Sequence, residues 1–303
     1  MNYSAAVLTR PIRERLDQRL RREQPSLSWA RLRAAIEKGQ ATVNGAEQRD
    51  PGAPVSTGDA VDLDINRKAV RAARSRFERL YEDDHVLVLD KPAGLLTVPA
   101  DREASPDEDT VLARVREYME RRRGSRGYVG PLHRLDRDTS GALAVALSRQ
   151  AHEAGRELFS AHGFERQYLA LVHGIPVDDA GTIDAPIADV YVSGRRRIAV
   201  AGEAAHAAVT HFVVRERFGT RAALLELTLE TGRQHQIRVH LQRLGHPVIG
   251  DRVYGPAEGP PAPRQMLHAW RLAFPHPLTG ERIAVEAPVP ADLTRLKRQL
   301  KAR

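Results

Sequence analysis

The chain has 303 residues, 42% of them hydrophobic, enough for about two domains with real cores. It contains no cysteine, which excludes disulfides, thiol catalysis and cysteine-ligated zinc, and fits a reducing cytosol. A net charge of +8 and a pI near 10.1 are the footprint of a phosphate-rich partner. No apolar stretch at the start reaches signal-peptide length, and no run approaches the roughly 20 apolar residues of a membrane span. A cytoplasmic protein is expected.

Residues 10–38 carry nine basic side chains against four acidic ones. Ile12, Leu16 and Leu20 recur at helical spacing, predicting a first helix with one apolar stripe and a basic remainder. Pro25 stops it. Ser28 is the expected N-cap of a second helix with Leu32, Ala35 and Ile36 inward, closed by Gly39. A strand at Ala41–Val43, an Asn44-Gly45 turn and a later strand with Val61, Leu63 and Ile65 alternating complete the unit. Two short basic helices followed by "TVNG" resemble the small αL-type RNA-binding module named after a small-subunit ribosomal protein. The match runs over about residues 12–66. The expectation is an RNA-binding module over 10–66, with Arg13, Arg31, Arg33 and Lys38 as RNA contacts. Such a surface confers affinity and salt sensitivity rather than sequence choice. Residues 67–79 add further basic side chains and read as a basic linker.

From Leu80 to residue 303 the pattern becomes a body of strands and helices. Strands are expected at 142–147, 168–173, 209–217 and 222–229, and helices near 109–122, 151–161 and 232–244. Mixed order without regular βαβ alternation predicts an α+β fold on a largely antiparallel mixed sheet with flanking helices.

Two blocks in this body carry chemistry. "PLHRLDRDTSGALAVA" gathers His133, Arg134, Asp136, Arg137 and Asp138 at the mouth of a strand. A protein-kinase catalytic loop is excluded, because Leu135 separates Arg134 from Asp136 and Gly141 stands where the metal-binding Asn belongs. No P-loop is present, and no HExxH zinc motif. The absence of cysteine bars a zinc deaminase. The second block, "LETGRQHQIRVHLQRLGHPVIGDRVYG", reads as a helix capped by Thr231, with Ile237, Leu241 and Leu244 on one side and His235, Arg238 and Gln242 on the other. A guanidinium presented by a rigid helix can pair with a carboxylate from another segment, keep it ionised and aim it.

Five blocks together, "LDKPAGLLTVP", "HRLDRDTSG", "ERQYLALVHG", "GRQHQIRVHLQRLGHPVIGD" and "RQMLHAWRLAFPHP", resemble the RluA-type RNA pseudouridine synthases over roughly residues 80–290. The resemblance implies that 80–303 is a catalytic domain isomerising uridine in RNA, and that Asp136 is the essential aspartate. Cutting N1–C1′, rotating the uracil and rejoining it through C5 can use one carboxylate, either attacking C1′ or abstracting the 2′ proton to a glycal. It further implies that Arg238 pairs with Asp136. Tyr168, behind Arg166-Gln167, would stack on the uracil and take part in the C5 proton transfer. Arg134 would enter the RNA stack where the target base leaves it. Asp138 is expected to stabilise the turn, and His133, Thr139 and Ser140 to shape the loop. Ala142, Ala144 and Leu147-Ser148-Arg149 depart from the family's usual residues.

No cofactor or metal is implied. The front module steers the match toward large-subunit ribosomal RNA, or a pre-ribosomal particle, as partner of a monomer. A transfer-RNA-directed synthase, a non-catalytic ribosome-assembly protein and an N-glycoside hydrolase remain alternatives.

Overall fold

A computed structural model describes residues 13–37, 39–65, 77–99, 108–125, 127–160, 163–191, 195–256 and 258–302. The chain divides into two compact units, Met1–Ser75 and Arg76–Arg303.

In the first unit, β1 (Arg13–Arg15) leads into α1 (Leu16–Glu23), followed by α2 (Trp29–Glu37), β2 (Ala41–Val43), β3 (Ala46–Gln48), β4 (Pro54–Ser56) and β5 (Val61–Leu63). Ser28 caps α2 as expected, its hydroxyl accepting from the Arg31 amide at 3.3 Å. Asn44 and Gly45, at φ 52° and 79°, turn β2 onto β3. Leu16, Leu20, Leu32, Ala35, Ile36, Val55 and Leu63 form its core. The helix predicted through Ile12 is shorter than its periodicity suggests. Arg13–Arg15 are extended and pair antiparallel with Pro54–Ser56, so strand pairing overrides helical spacing there, while Ile12 lies outside the described residues.

The second unit carries a ten-stranded sheet among its described residues. Its strands are β6 (Glu78–Glu82), β7 (Val86–Lys91), β8 (Gly130–Pro131), β9 (Ser140–Ala146), β10 (Glu165–His173), β11 (Ala180–Asp184), β14 (Val209–Phe218), β15 (Ala222–Leu229), β16 (Leu267–Pro275) and β17 (Arg282–Glu286); the short β12 (Ile187–Ala188) and β13 (Ala205–His206) pair apart. The order is β11-β14-β15-β10-β16-β9-β7-β6, with β17 beside β16 and β8 beside β9. β6 begins inside the stretch read as a linker; most of the rest of that stretch lies outside the described residues. Helices α3 (Val111–Arg123), α4 (Arg149–Ser160), α5 (Gln236–Arg243) and α6 (Ala291–Lys301) flank the sheet. This is the α+β architecture expected.

Two features of the sheet set the frame for the charged loop between β8 and β9. β9 and β16 run parallel in an otherwise antiparallel sheet, with Ser140 beside His268 and Gly141 beside Ala269. Along β9 the faces alternate. Leu143 and Val145 join a large cluster with Leu87, Leu89, Val115 and Ile237, whereas Ala142, Ala144 and Ala146 join a second one. That second cluster holds Phe164 and Phe274, stacked 4.5 Å apart. Small side chains on this face of β9 share that cluster with the rings.

Candidate active site

The segment from Leu132 to Thr139 has little regular structure, yet its backbone is held from both sides. On one side Lys91, wholly buried at the end of β7, donates from Nζ to the carbonyls of Pro92 (2.9 Å), Leu95 (2.7 Å) and Arg137 (2.8 Å). The Gly94 amide adds a second bond to the Arg137 carbonyl at 2.9 Å. Thr97 Oγ1 donates to the Leu135 carbonyl at 3.0 Å and accepts from the Leu135 amide at 3.2 Å. Burial pushes the pKa of the Lys91 ammonium down to about 7, against the upward pull of Asp138 and Asp136.

On the other side Arg264 donates to the Asp138 carbonyl (3.0 Å) and to Ser140 Oγ (3.1 Å), and Gln265 Nε2 donates to Thr139 Oγ1 at 2.9 Å. Asp292 of α6 holds Arg264 in a bidentate pair at 2.7 and 3.0 Å. Inside the loop, His133 Nε2 accepts from the Ala144 amide at 3.1 Å. Burial above all, with help from Arg166, drives the His133 pKa to about 3, so this imidazole is a neutral brace. Few degrees of freedom are left to Asp136, whose side chain this scaffold presents half-buried.

Arg238 of α5 donates from Nη1 to Asp136 Oδ2 at 2.9 Å. Its other edge is taken by Asp251, with Nε to Oδ2 at 2.6 Å and Nη2 to Oδ1 at 2.9 Å. The Tyr254 ring lies 4.9 Å from the guanidinium carbon. Exposure falls along this chain, from 23% for the Asp136 side chain to 6% for Arg238 and none for Asp251. Burial alone would raise the Asp251 pKa, but Arg238 and the amides of Val253 (2.9 Å) and Tyr254 (3.1 Å) outweigh it and hold the carboxyl below its ordinary value. The Arg238 pKa is in turn raised: burial opposes its charge, and the two carboxylates overcome that. His235 Nε2 stands 3.9 Å from the same Asp136 oxygen, while its Nδ1 meets the Tyr254 hydroxyl at 2.9 Å. Tyr168 of β10 is buried; desolvation raises its phenol pKa, Arg166 opposes that, and the Asp136 charge adds to it.

A half-buried carboxylate anchored by a guanidinium can attack an electrophilic carbon or take a proton from one. The family model for RNA pseudouridylate synthases matches residues 85–243, a span that contains Asp136, Tyr168 and Arg238. The chain belongs to the RNA pseudouridylate synthase family. This synthase is 41% identical, over 293 residues, to the ribosomal large subunit pseudouridine synthase D of Xanthomonas campestris pv. campestris, covering 91% of this chain and 86% of that one. It is 36% identical to YlyB, an uncharacterised RNA pseudouridine synthase of Bacillus subtilis, covering 95% and 94%. The solved structure of human RNA pseudouridylate synthase domain containing 1 superposes with a TM-score of 0.57 at 27% identity, over 76% of this chain and 96% of the other. The synthase is an isomerase that converts uridine to pseudouridine in RNA.

The pairing expected between Asp136 and Arg238 is present in the synthase, and Tyr168 feels the charge of the same carboxylate. Arg134 is exposed on the loop. Asp138 contributes its backbone carbonyl to Arg264 and its charge to Lys91. Helix α5 differs from expectation: it begins at Gln236, behind His235 in the left-handed conformation (φ 60°), not at Thr231. The Thr231 hydroxyl instead accepts from the Val209 amide and donates to Gln236 Oε1, so a loop replaces the first helical turn. In the first unit Arg31 is exposed, and Arg33 donates to buried Asp17 at 3.0 Å while lying over Trp29. Lys38 and the Arg13 side chain lie outside the described residues.

Sequence reasoning gave no role to Lys91, Asp251 or Arg264. Each sits inside or beside one of the five blocks, but what it holds is backbone or another side chain, far away in sequence. Only the charge of these residues within apolar stretches signals them.

Proposed function

We propose that this synthase isomerises specific uridines of large-subunit ribosomal RNA, with Asp136 as the carboxylate that reacts with a flipped-out nucleoside. The observation that carries the catalytic assignment is the Arg238–Asp136 contact at 2.9 Å, backed by buried Asp251. Arg238 fixes the direction of the Asp136 carboxyl, while the incomplete burial of Asp136 leaves an oxygen open to C1′ or to the 2′ proton. Tyr168 lies against the uracil. Burial keeps its phenol protonated, so it passes on the C5 proton only by releasing its own. Arg134 fills the space vacated in the RNA stack, and the basic first unit tracks phosphates through Arg13, Arg31, Arg33 and Lys38.

Relatives bearing the large-subunit name at 41% and 38% identity, each over more than nine-tenths of this chain, support the target. Carbodiimide mapping of total RNA from a strain lacking the gene tests it. Sites in large-subunit RNA should vanish and return with the wild-type gene. Loss confined to transfer RNA would instead favour the transfer-RNA reading.

A further inference from the structure

Two residues ahead of Tyr168 on the same strand, the site carries an unanswered positive charge. Arg166 of β10 is only 4% exposed. Its Nη2 donates to the Glu230 carbonyl at 3.0 Å, and its guanidinium carbon lies 4.7 Å from the centre of the Phe159 ring. Nε is buried without a hydrogen-bond partner, and among the described residues no carboxylate pairs with the group. With the Tyr168 phenol protonated, the charge that acts on it is that of Arg233, a second cation. Its own charge is felt by His133, in the loop of Asp136, and by Tyr168. A buried guanidinium has five donors, and leaving one uncompensated is costly.

The local backbone leaves room for this cation at one edge. Gly232 lies against Nη1, and a Cβ there would collide with that nitrogen and stand 3.1 Å from the Phe159 ring. Any side chain at 232 would cap the edge that Glu230 and Phe159 leave free. A nearly buried guanidinium whose Nε and Nη1 take no acceptor among the described residues suits a phosphate, whose oxygens accept from a planar fork.

We infer that Arg166, with Arg233 beside it, binds a backbone phosphodiester flanking the target uridine and so fixes the flipped nucleotide at its ribose end. This rests on the reading that a flipped-out uridine of RNA lies against Asp136. The chemistry is electrostatic and involves no covalent step.

The test is a cycle between protein and RNA. A stem-loop is cut from an RNA that wild-type protein converts, and the phosphates flanking the target are replaced one at a time by methylphosphonates. Neutralising one phosphate should raise the wild-type KM about ten-fold with kcat less affected, as expected for losing a hydrogen bond to a charged group. Arg166→Gln should raise KM similarly on unmodified RNA, lower the log–log salt slope of binding by about 0.7–0.9, and be indifferent to that methylphosphonate. Arg166→Lys, which keeps the charge, should retain most of the slope, and Gly232→Ala should mimic the glutamine variant by capping the open edge. The same methylphosphonate penalty in Arg166→Gln, Gly232→Ala and wild type would overturn the assignment. Because the RNA is one that wild type converts, the target reading fails separately, in the mapping experiment.

Discussion

A guanidinium shared between two carboxylates must divide its donors, and Arg238 divides them unequally. Two go to Asp251 and one to Asp136. The bidentate pair is the anchor, and the single bond aims the reactive group. Asp251→Asn keeps the volume but removes the charge, so Arg238 loses its fixed edge. Turnover should fall on the order of 10–100-fold through misplacement of Asp136. Denaturant unfolding should show a loss of about 3–5 kcal/mol at neutral pH from breaking a buried pair. The folded-state pKa of Asp251 lies below the ordinary aspartate value of 3.8, so its stabilisation is complete above 3.8 and is lost as pH falls through the depressed value. The stability gap between wild type and Asp251→Asn should therefore narrow only below pH 3.8. A gap that narrows near neutrality would contradict this. Asp136 and Arg238 were legible in the sequence: a charged loop feeding an apolar strand and an arginine away from a helix's apolar stripe stand out locally, and the family resemblance singles out and pairs the two. Asp251 was not, because its meaning depends on a side chain thirteen positions away that reaches it only once α5 has formed.

At the level of elements, the site hangs on the parallel junction of β9 and β16. Gly141 there has φ 114°, and a Cβ would collide with the Ala269 carbonyl oxygen and stand 2.8 Å from the Ala269 amide nitrogen. Gly141→Ala should cost about 2–4 kcal/mol in unfolding free energy, from strain and strand separation combined. Activity should fall in parallel, since Ser140 and Thr139, the loop's anchors to Arg264 and Gln265, precede it directly. An alanine variant with wild-type stability would mean that the close approach is not needed. The long strands were visible from apolar runs, and α3 and α4 begin and end within two residues of the helices expected near 109–122 and 151–161. The parallel junction was invisible, since pairing direction leaves no trace in local hydrophobicity. The start of α5 was misplaced for a related reason: Thr231 looks like a cap locally, but Val209 and Gln236 claim its hydroxyl.

For the whole molecule, the two units have separate cores, and the net positive charge is concentrated in the first. A protein lacking Met1–Ser75 should still fold and convert a short stem-loop. Its affinity for long RNA should drop, and its log–log salt slope should flatten by about 0.7–0.9 for each phosphate that the missing unit had neutralised. Unchanged affinity would contradict the role given to that unit. The scaffold of the second unit converges on one oxygen pair. Lys91 and Thr97 hold the loop from one side, Arg264 and Gln265 from the other, and Arg238 holds the carboxylate itself. The most direct test is single-turnover release of tritium from an RNA labelled at C5 of the target uridine, comparing wild type with Asp136→Asn at matched RNA occupancy. The asparagine variant should release tritium at a rate lower by at least roughly 1,000-fold with RNA affinity nearly unchanged. Release by the asparagine variant within roughly ten-fold of wild type would show that another group performs the chemistry.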